Sequence, residues 1–441
     1  MNEKLKRIIN PFLHIFSKPK KENHILNLDE EAKEKVEKIG EADILVGIPS
    51  YNNERTIAHV IKAVEYGLAK YFPRFKAVLL NSDGGSTDRT REIVGETSIY
   101  GQLDTILVEH PVHHASQIVA AYHGLPGKGS SFRAIFQIAQ ALGVRACAVV
   151  DSDLRSITPE WVELLLGPIL IKNYDYVSPI YSRHKYDGTI TNMVVYPFTR
   201  ALYGKRVRQP IGGDFGLSRR FIEQCLKRDV WGTDVARYGI DIWMTTMAIN
   251  EGFKLCQSYL GAKIHNAKDP TMSLGPMFKQ VVGTVFKLME DYQEQWKEIN
   301  RSLPTAIYGF RSEVFPEPVE VNLERLLSKF KSGFKEYKDY LSKILTRETL
   351  DELANVVSLK DEKFHLPDDL WVKTVYDFAI SWHKKGEERD KLLDSMLPVY
   401  FGKIASFVIE TKDIPTYDAK DLIERQCQRF EALKPYLIER W

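Results

Sequence analysis

Asp151 and Asp153, two positions apart in Asp151-Ser152-Asp153, follow directly on the apolar run Ala146-Cys147-Ala148-Val149-Val150. Where a buried strand leaves its sheet, this spacing lets both carboxylates reach one hard cation. Mg²⁺ or Mn²⁺ takes oxygen ligands, keeps some water and is commonly shared with substrate phosphates. Two acidic residues after a strand also cap a following helix, so the pair gains weight only from its neighbours. One neighbour is Pro49-Ser50-Tyr51-Asn52-Asn53-Glu54. Another is Asn81-Ser82-Asp83-Gly84-Gly85-Ser86-Thr87-Asp88, where Asp83 can accept hydrogen bonds from a base or ribose and the glycines admit a ligand close to the backbone. The second loop equally satisfies a plain turn followed by a helix cap.

Gly127-Lys128-Gly129 sets an ammonium among backbone amides at a helix start, where all of them point at one anion. The spacing is not that of a P-loop. Arg208-Gln209-Pro210-Ile211-Gly212-Gly213-Asp214-Phe215-Gly216 is a Gly-rich turn that can expose backbone donors to a small hydroxylated or carboxylated ligand. Asp241 opens a helix, as an N-cap also would, and His265 emerges at the end of a strand-like run with an imidazole able to ligate metal.

The elements that must position these residues alternate. Residues 43–49, 77–80, 105–108, 146–150 and 253–264 read as strands; residues 56–70, 87–93, 130–141, 159–166 and 242–250 read as helices. This order predicts an α/β class, a doubly wound, mostly parallel sheet with ligands beyond the C-terminal strand ends. Beyond about residue 280 long helical stretches take over, 278–299 and 323–345 among them. The expected division is a helical lead-in over 1–40, an α/β ligand-binding domain over 41–275 and a helical C-terminal domain over 276–441.

The 441 residues are 44% hydrophobic and 27% charged, enough for a sizeable core. Lys and Arg number 61 against 59 Asp and Glu, so the +2 net charge gives no global argument for nucleic acid. Four scattered cysteines fit neither a zinc site nor a disulfide scaffold and suit a reducing cytoplasm. No apolar run approaches the roughly 20 residues of a membrane span, and no stable membrane insertion is expected. The basic amphipathic start, Met1 to Phe16, reads as a helix that packs on its own domain or touches a membrane surface.

In this order, residues 49–54, 82–88, Gly127-Lys128-Gly129, Asp151-Ser152-Asp153, Gln209-Pro210-Ile211-Gly212-Gly213-Asp214, Tyr238-Gly239-Ile240-Asp241 and His265 resemble GT-A-type glycosyltransferases. More narrowly, they are similar to the retaining enzymes that make glucosylglycerate, mannosylglycerate and glucosyl-3-phosphoglycerate. The resemblance covers about residues 43–270, and the helical remainder, including residues 366–383, is similar to the C-terminal region of mannosylglycerate synthase.

It implies transfer of glucose or mannose, with retention, from a UDP- or GDP-sugar to D-glycerate or 3-phosphoglycerate. Pro49, Tyr51, Glu54 and Asp83 would hold the nucleoside, and Lys128 would contact the donor. Asp153 and His265 would ligate Mg²⁺ or Mn²⁺, with Asp151 beside the metal, its waters and the ribose. Arg183, Thr191 and the backbone of Ile211, Gly212 and Gly213 would meet the acceptor, and Asp241 would bind acceptor or sugar hydroxyls. Asp214 and Asp241 stand where some relatives carry Glu. Arg183, His184, Lys185 and Lys268 are the basic residues available to an acceptor phosphate. Related enzymes are often homodimers, whereas the helical region shows no sustained heptad.

Three other readings compete. A polymerising or lipid-linked-sugar transferase lacks support because membrane spans and a Gln-x-x-Arg-Trp segment are missing. A nucleotidyltransferase would want a Gly-rich basic loop after the first strand, which residues 49–54 are not. A catalytically silent nucleotide-sugar-binding regulator would have less need of Lys128, Asp151, Asp153 and His265 together.

Overall fold

The computed structural model describes residues 30–97, 104–109, 127–265, 270–311, 316–385 and 388–441. The expected N-terminal amphipathic helix and Lys268 lie outside these residues. The strands are β1 (Ile44–Ser50), β2 (Ala77–Asp83), β3 (Asp104–Glu109), β4 (Ala146–Val149), β5 (Tyr176–Ser182), β6 (Lys205–Arg206), β7 (Phe215–Ser218), β8 (Leu255–Ala262), β9 (Leu303–Pro304) and β10 (Ile307–Tyr308). Eight of them form one sheet in the order β10-β8-β5-β7-β4-β1-β2-β3. Every pairing in it is parallel except the two made by β7, which runs antiparallel between β4 and β5. β6 and β9 pair separately.

Side chains alternate across the sheet, and successive residues of one strand enter different cores. Leu45 of β1, Val78 and Leu80 of β2 and Cys147 and Val149 of β4 join one apolar cluster with Phe132 and Phe136 of the helix Lys128–Ala141. Ile44, Val46, Ile48, Leu79, Ala146 and Ala148 join another, with Val60, Ile61 and Val64 of the helix Ile57–Tyr71 and Trp161 and Leu165 of the helix Glu160–Lys172. Burial on both faces explains why these strands read as unbroken apolar runs. The doubly wound, mostly parallel α/β class expected from the sequence is what the structure has.

Besides the two-residue strands β6, β9 and β10, two longer strands escape the sequence pattern. β5 is interrupted by Ser178 and Pro179, and the four-residue β7 begins inside what reads as a Gly-rich turn. Both are held by central pairing, not by an apolar run of their own.

The C-terminal part is helical, as expected. Helix Pro270–Asp291 runs across the expected division at residue 275, and Gln293–Glu298 follows it. Leu323–Leu341 lies against Arg389–Thr411, and Arg347–Ser358, Asp368–Lys385, Ala419–Ala432 and Lys434–Arg440 complete the layer. Among the described residues, Arg389–Thr411 is the one helix long and apolar enough to cross a membrane. It is mostly buried inside the protein, as a core helix would be.

Candidate active site

The C-terminal ends of β1, β4, β5 and β8 open on one cavity of about 210 Å³. This is smaller than the roughly 300–1,000 Å³ of drug-sized pockets and suits the reacting end of a ligand. Its wall contains Tyr51, Lys128, Asp151, Asp153, Arg183 and Thr191, together with Ile211, Gly212, Gly213, Asp241 and His265. Eleven residues singled out from sequence, drawn from separate loops, therefore converge there.

Lys128 owes its place to its glycines. Gly127 caps the helix in the left-handed region at φ 81°. Gly129 packs so closely on the backbone at Val235 that a Cβ would lie 1.8 Å from its carbonyl oxygen, and the Gly129 amide donates to the Arg237 carbonyl at 3.1 Å. Lys128 Nζ lies 3.0 Å from Asp151 Oδ1 and 3.6 Å from Asp241 Oδ2.

Lys263, which sequence reasoning passed over, is the second ammonium of the site. Its Nζ donates to Asp151 Oδ2 at 2.7 Å, Asp214 Oδ2 at 2.8 Å and the Gly212 carbonyl at 2.9 Å. Asp214 also accepts the Asp151 amide at 2.7 Å and the Tyr181 hydroxyl. Gly213, at φ 89°, allows the contact, since a Cβ there would come within 2.1 Å of Asp151 Oδ2. Lys263 lies two residues before His265, beyond the end of β8, and that i, i+2 relation was the available signal. Asp187 was also missed; it stands 3.7 Å from both Arg183 Nε and His265 Nε2.

Two buried carboxylates, Asp214 and Asp241, and the half-buried Asp151 thus share two buried ammoniums. Burial alone would raise Asp151, but Lys128 and Lys263 hold it well below the usual carboxylate range. Burial raises Asp241 and Asp214, and the neighbouring lysines only partly offset this. Burial opposes the charge of Lys128, yet Asp151 and Asp241 lift its pKa above the ordinary lysine value. Asp241 Oδ1 is buried with no hydrogen-bond partner among the described residues. An acceptor so placed is stabilised by a ligand hydroxyl.

Asp153 differs from Asp151: its carboxylate makes no hydrogen bond or ion pair among the described residues, while both oxygens of Asp151 are taken by lysines. The acidic loop is nonetheless fixed. Ser152 Oγ donates to Asn53 Oδ1 at 2.8 Å, Thr56 Oγ1 donates to the Ser152 carbonyl at 2.8 Å, and the Arg155 amide donates to the Ile264 carbonyl at 2.9 Å, beside His265. Asp153 and His265 on one wall offer an oxygen and a nitrogen donor to a divalent cation. Among the described residues no three His, Cys, Asp or Glu side chains are gathered into a metal cluster. Phosphate oxygens and water would have to complete the shell, as Mg²⁺ commonly requires.

Pro49, Glu54 and Asp83 are not brought to this cavity. Pro49 is buried in β1 opposite Ser82. Glu54 is exposed and accepts the Arg89 amide at 3.2 Å. Asp83 is fully buried and accepts from Ser50 Oγ, the Gly85 and Ser86 amides and Ser86 Oγ, at 2.6–3.2 Å. These bonds make it the organiser of its own loop.

Fold and site define an α/β protein that gathers acidic, ammonium and imidazole groups at the C-terminal edge of a mostly parallel sheet. Among known proteins, the chain is similar to the glucosyl-3-phosphoglycerate synthase of Mycolicibacterium smegmatis, 25% identical over 264 residues that cover 55% of this chain and 76% of that one. No family model matches it. Two solved structures of glucosyl-3-phosphoglycerate synthase from Mycobacterium tuberculosis are also similar. One, in complex with Mn²⁺, uridine diphosphate and phosphoglyceric acid, has a TM-score of 0.41 and 21% identity, covering 58% of this chain and 82% of the other. The second, with Mg²⁺ and uridine diphosphate, has a TM-score of 0.42 and 22% identity, covering 58% and 83%.

Proposed function

We propose that the protein is a divalent-metal-dependent, retaining glycosyltransferase that moves glucose from UDP-glucose to glyceric acid, as D-glycerate or 3-phosphoglycerate. The observation that carries this reading is the single cavity uniting Lys128, Asp151, Asp153, Asp241, His265 and Arg183. The curated relative is named for transfer of this kind, and the sequence resemblance points the same way.

Asp153 and His265 would hold Mg²⁺ or Mn²⁺, which when bound neutralises a diphosphate. Lys128, kept charged by Asp151 and Asp241, presents an ammonium to the same departing group. Tyr51 borders the donor end, with Pro49, Glu54 and Asp83 shaping the loop behind it. Arg183 and Thr191 face the acceptor; a guanidinium suits a carboxylate by bidentate pairing. Asp241 Oδ1 takes a sugar or acceptor hydroxyl, and the Ile211–Gly213 turn fixes the floor, its Gly212 carbonyl held by Lys263. Asp151 and Asp214 are engaged by lysines, and this reading gives Asp241 to a hydroxyl and Asp153 to the metal, so it assigns no carboxylate as a covalent sugar nucleophile. Retention then rests on front-face attack, with an oxygen of the leaving diphosphate accepting the acceptor's hydroxyl proton and the protein positioning the reactants. The four cysteines are free and buried, which supports a cytoplasmic setting.

The test is a matrix of UDP- and GDP-linked glucose and mannose against D-glycerate and 3-phosphoglycerate, with Mg²⁺, Mn²⁺ or chelator, products identified by NMR. The expected product is an α-linked glucosyl glycerate formed only with metal. Nucleotide-sugar binding without transfer to either acceptor would favour a binding regulator and overturn the enzyme reading.

A further inference from the structure

Between β5 and the helix Tyr196–Tyr203 the chain winds through one π-helical turn, Thr191–Val195. The Tyr196 amide donates to the Thr191 carbonyl, five residues back instead of four. Pro197 follows at the start of the α-helix. It has no N–H to give to the carbonyls four and five residues before it, those of Met193 and Asn192. Wide turns of this kind are uncommon and concentrate at functional sites. Here Thr191 stands on the turn and, with Gly188, Thr189 and Ile190, lines the active cavity.

A buried carbonyl that loses its helical donor must find another, because leaving it unpaired is costly. The donors come from the C-terminal helical layer, far along the chain. Trp371 Nε1 donates to the Met193 carbonyl at 3.0 Å. Gln426 Nε2 donates to the Asn192 carbonyl at 3.1 Å and also reaches that of Met193, at 3.4 Å. Trp371 is fully buried and Gln426 is 2% exposed, so solvent is kept from these carbonyls. A third link joins the Thr189 hydroxyl to that of Tyr400, on the helix Arg389–Thr411, at 2.7 Å. Neither Gln426 nor Trp371 lines the active cavity, and any effect they have on it passes through the turn.

We propose that Gln426 and Trp371 are positioning residues of the transfer reaction: by supplying the donors that Pro197 cannot, they hold the π-helical turn in the shape that sets Thr191 against the acceptor. This rests on the proposed function, which puts Thr191 at the acceptor. It gives the C-terminal helical layer a share in acceptor recognition, exerted through the backbone.

The test uses the full chain as Gln426→Leu and as Trp371→Phe, the second keeping an aromatic ring and removing the N–H. Tyr376→Phe is the control: it deletes a donor of the same kind in the same layer, the buried hydroxyl that reaches the Phe430 carbonyl at 2.6 Å. Hydrogen exchange at the amides of residues 191–196 should lose protection in Gln426→Leu and Trp371→Phe and keep it in Tyr376→Phe. The first two variants should each raise the acceptor KM about tenfold, the effect of one lost hydrogen bond, with the KM for the nucleotide sugar unchanged. Thr191→Val should raise the acceptor KM by a similar factor, and adding Gln426→Leu to it should raise it little further, since both act through one contact. Unchanged exchange in both variants, an acceptor KM that moves no more than in Tyr376→Phe, or full additivity with Thr191→Val would each overturn the positioning role. If instead Thr191→Val itself leaves the acceptor KM unchanged, or the wild type transfers to neither acceptor, the reading of the acceptor side fails and the positioning role falls with it.

Discussion

Lys263 and Asp153 share a cavity and should fail differently when replaced. Lys263 Nζ is the common partner of Asp151, Asp214 and the Gly212 carbonyl. Lys263→Met leaves buried carboxylates short of a counter-charge, an error that typically costs about 3–5 kcal/mol. Urea unfolding should show that loss, with partial recovery in Lys263→Met/Asp214→Asn, where one unpaired charge is removed. Unchanged stability of the single variant would refute the network. Asp153 bonds to no described residue, so Asp153→Asn should stay within about 0.5 kcal/mol of wild type while abolishing metal-stimulated transfer. Retention of that stimulation would remove Asp153 from the metal site. The sequence made Asp153, Lys128 and His265 visible because they fall where predicted strands and helices end. It hid Lys263 because a lysine closing an apolar strand run looks like an ordinary solvent-facing terminus. Asp83 shows what residue type alone leaves open: it suits a ribose, and in the fold it also accepts from Ser50, Gly85 and Ser86.

At the scale of elements, helix ends decide where charges stand. Glu160 opens the helix Glu160–Lys172. Hydrogen bonds from Thr158 and its own backbone amide, assisted by Lys70 and Tyr71, bring its pKa down to about 2. A carboxylate depressed on folding contributes stability that is full above its unfolded pKa, near 4.5, and is lost as pH falls through about 2. Glu160→Gln should therefore flatten the acid side of the melting-temperature curve over that window. The loss at neutral pH should be only about 0.5 kcal/mol, because the side chain is half exposed and screened. An unchanged acid limb would contradict the assignment. Gly129→Ala tests position instead: its Cβ must displace the backbone at Val235. Overpacking of about 1–3 kcal/mol should accompany a loss of transfer, read by denaturation and turnover on the same preparation. Helices and doubly buried strands were legible because their periodicity is continuous over many residues. β5 and β7 were not, because Ser178, Pro179 and Gly216 break their apolar runs while neighbouring strands supply the pairing.

For the whole molecule, the decisive feature is that one apolar cluster runs from the sheet into the C-terminal helices. Leu45 and Phe132 belong to it, and so do Phe330, Trp371 and Phe430. A change from alternating strands and helices to helices alone suggested two units; continuity of the core depends on side-chain meetings that composition cannot reveal. Phe198, 1% exposed, stands at the junction, with ring centroids of Phe286, Tyr376 and Phe430 at 6.2, 5.8 and 5.5 Å. Nearby, buried Arg200 reaches Glu424 and Glu431 from the helix Tyr196–Tyr203, tying the same parts together electrostatically. Phe198→Ala should cost about 3–5 kcal/mol through lost burial and a residual cavity. Because that cavity borders the sheet-side helix and the C-terminal layer alike, scanning calorimetry should record one transition displaced to lower temperature. If the two parts were energetically independent, the variant would instead split the endotherm, moving one component and leaving the other in place. Continuity of packing makes the single displaced transition the expected result.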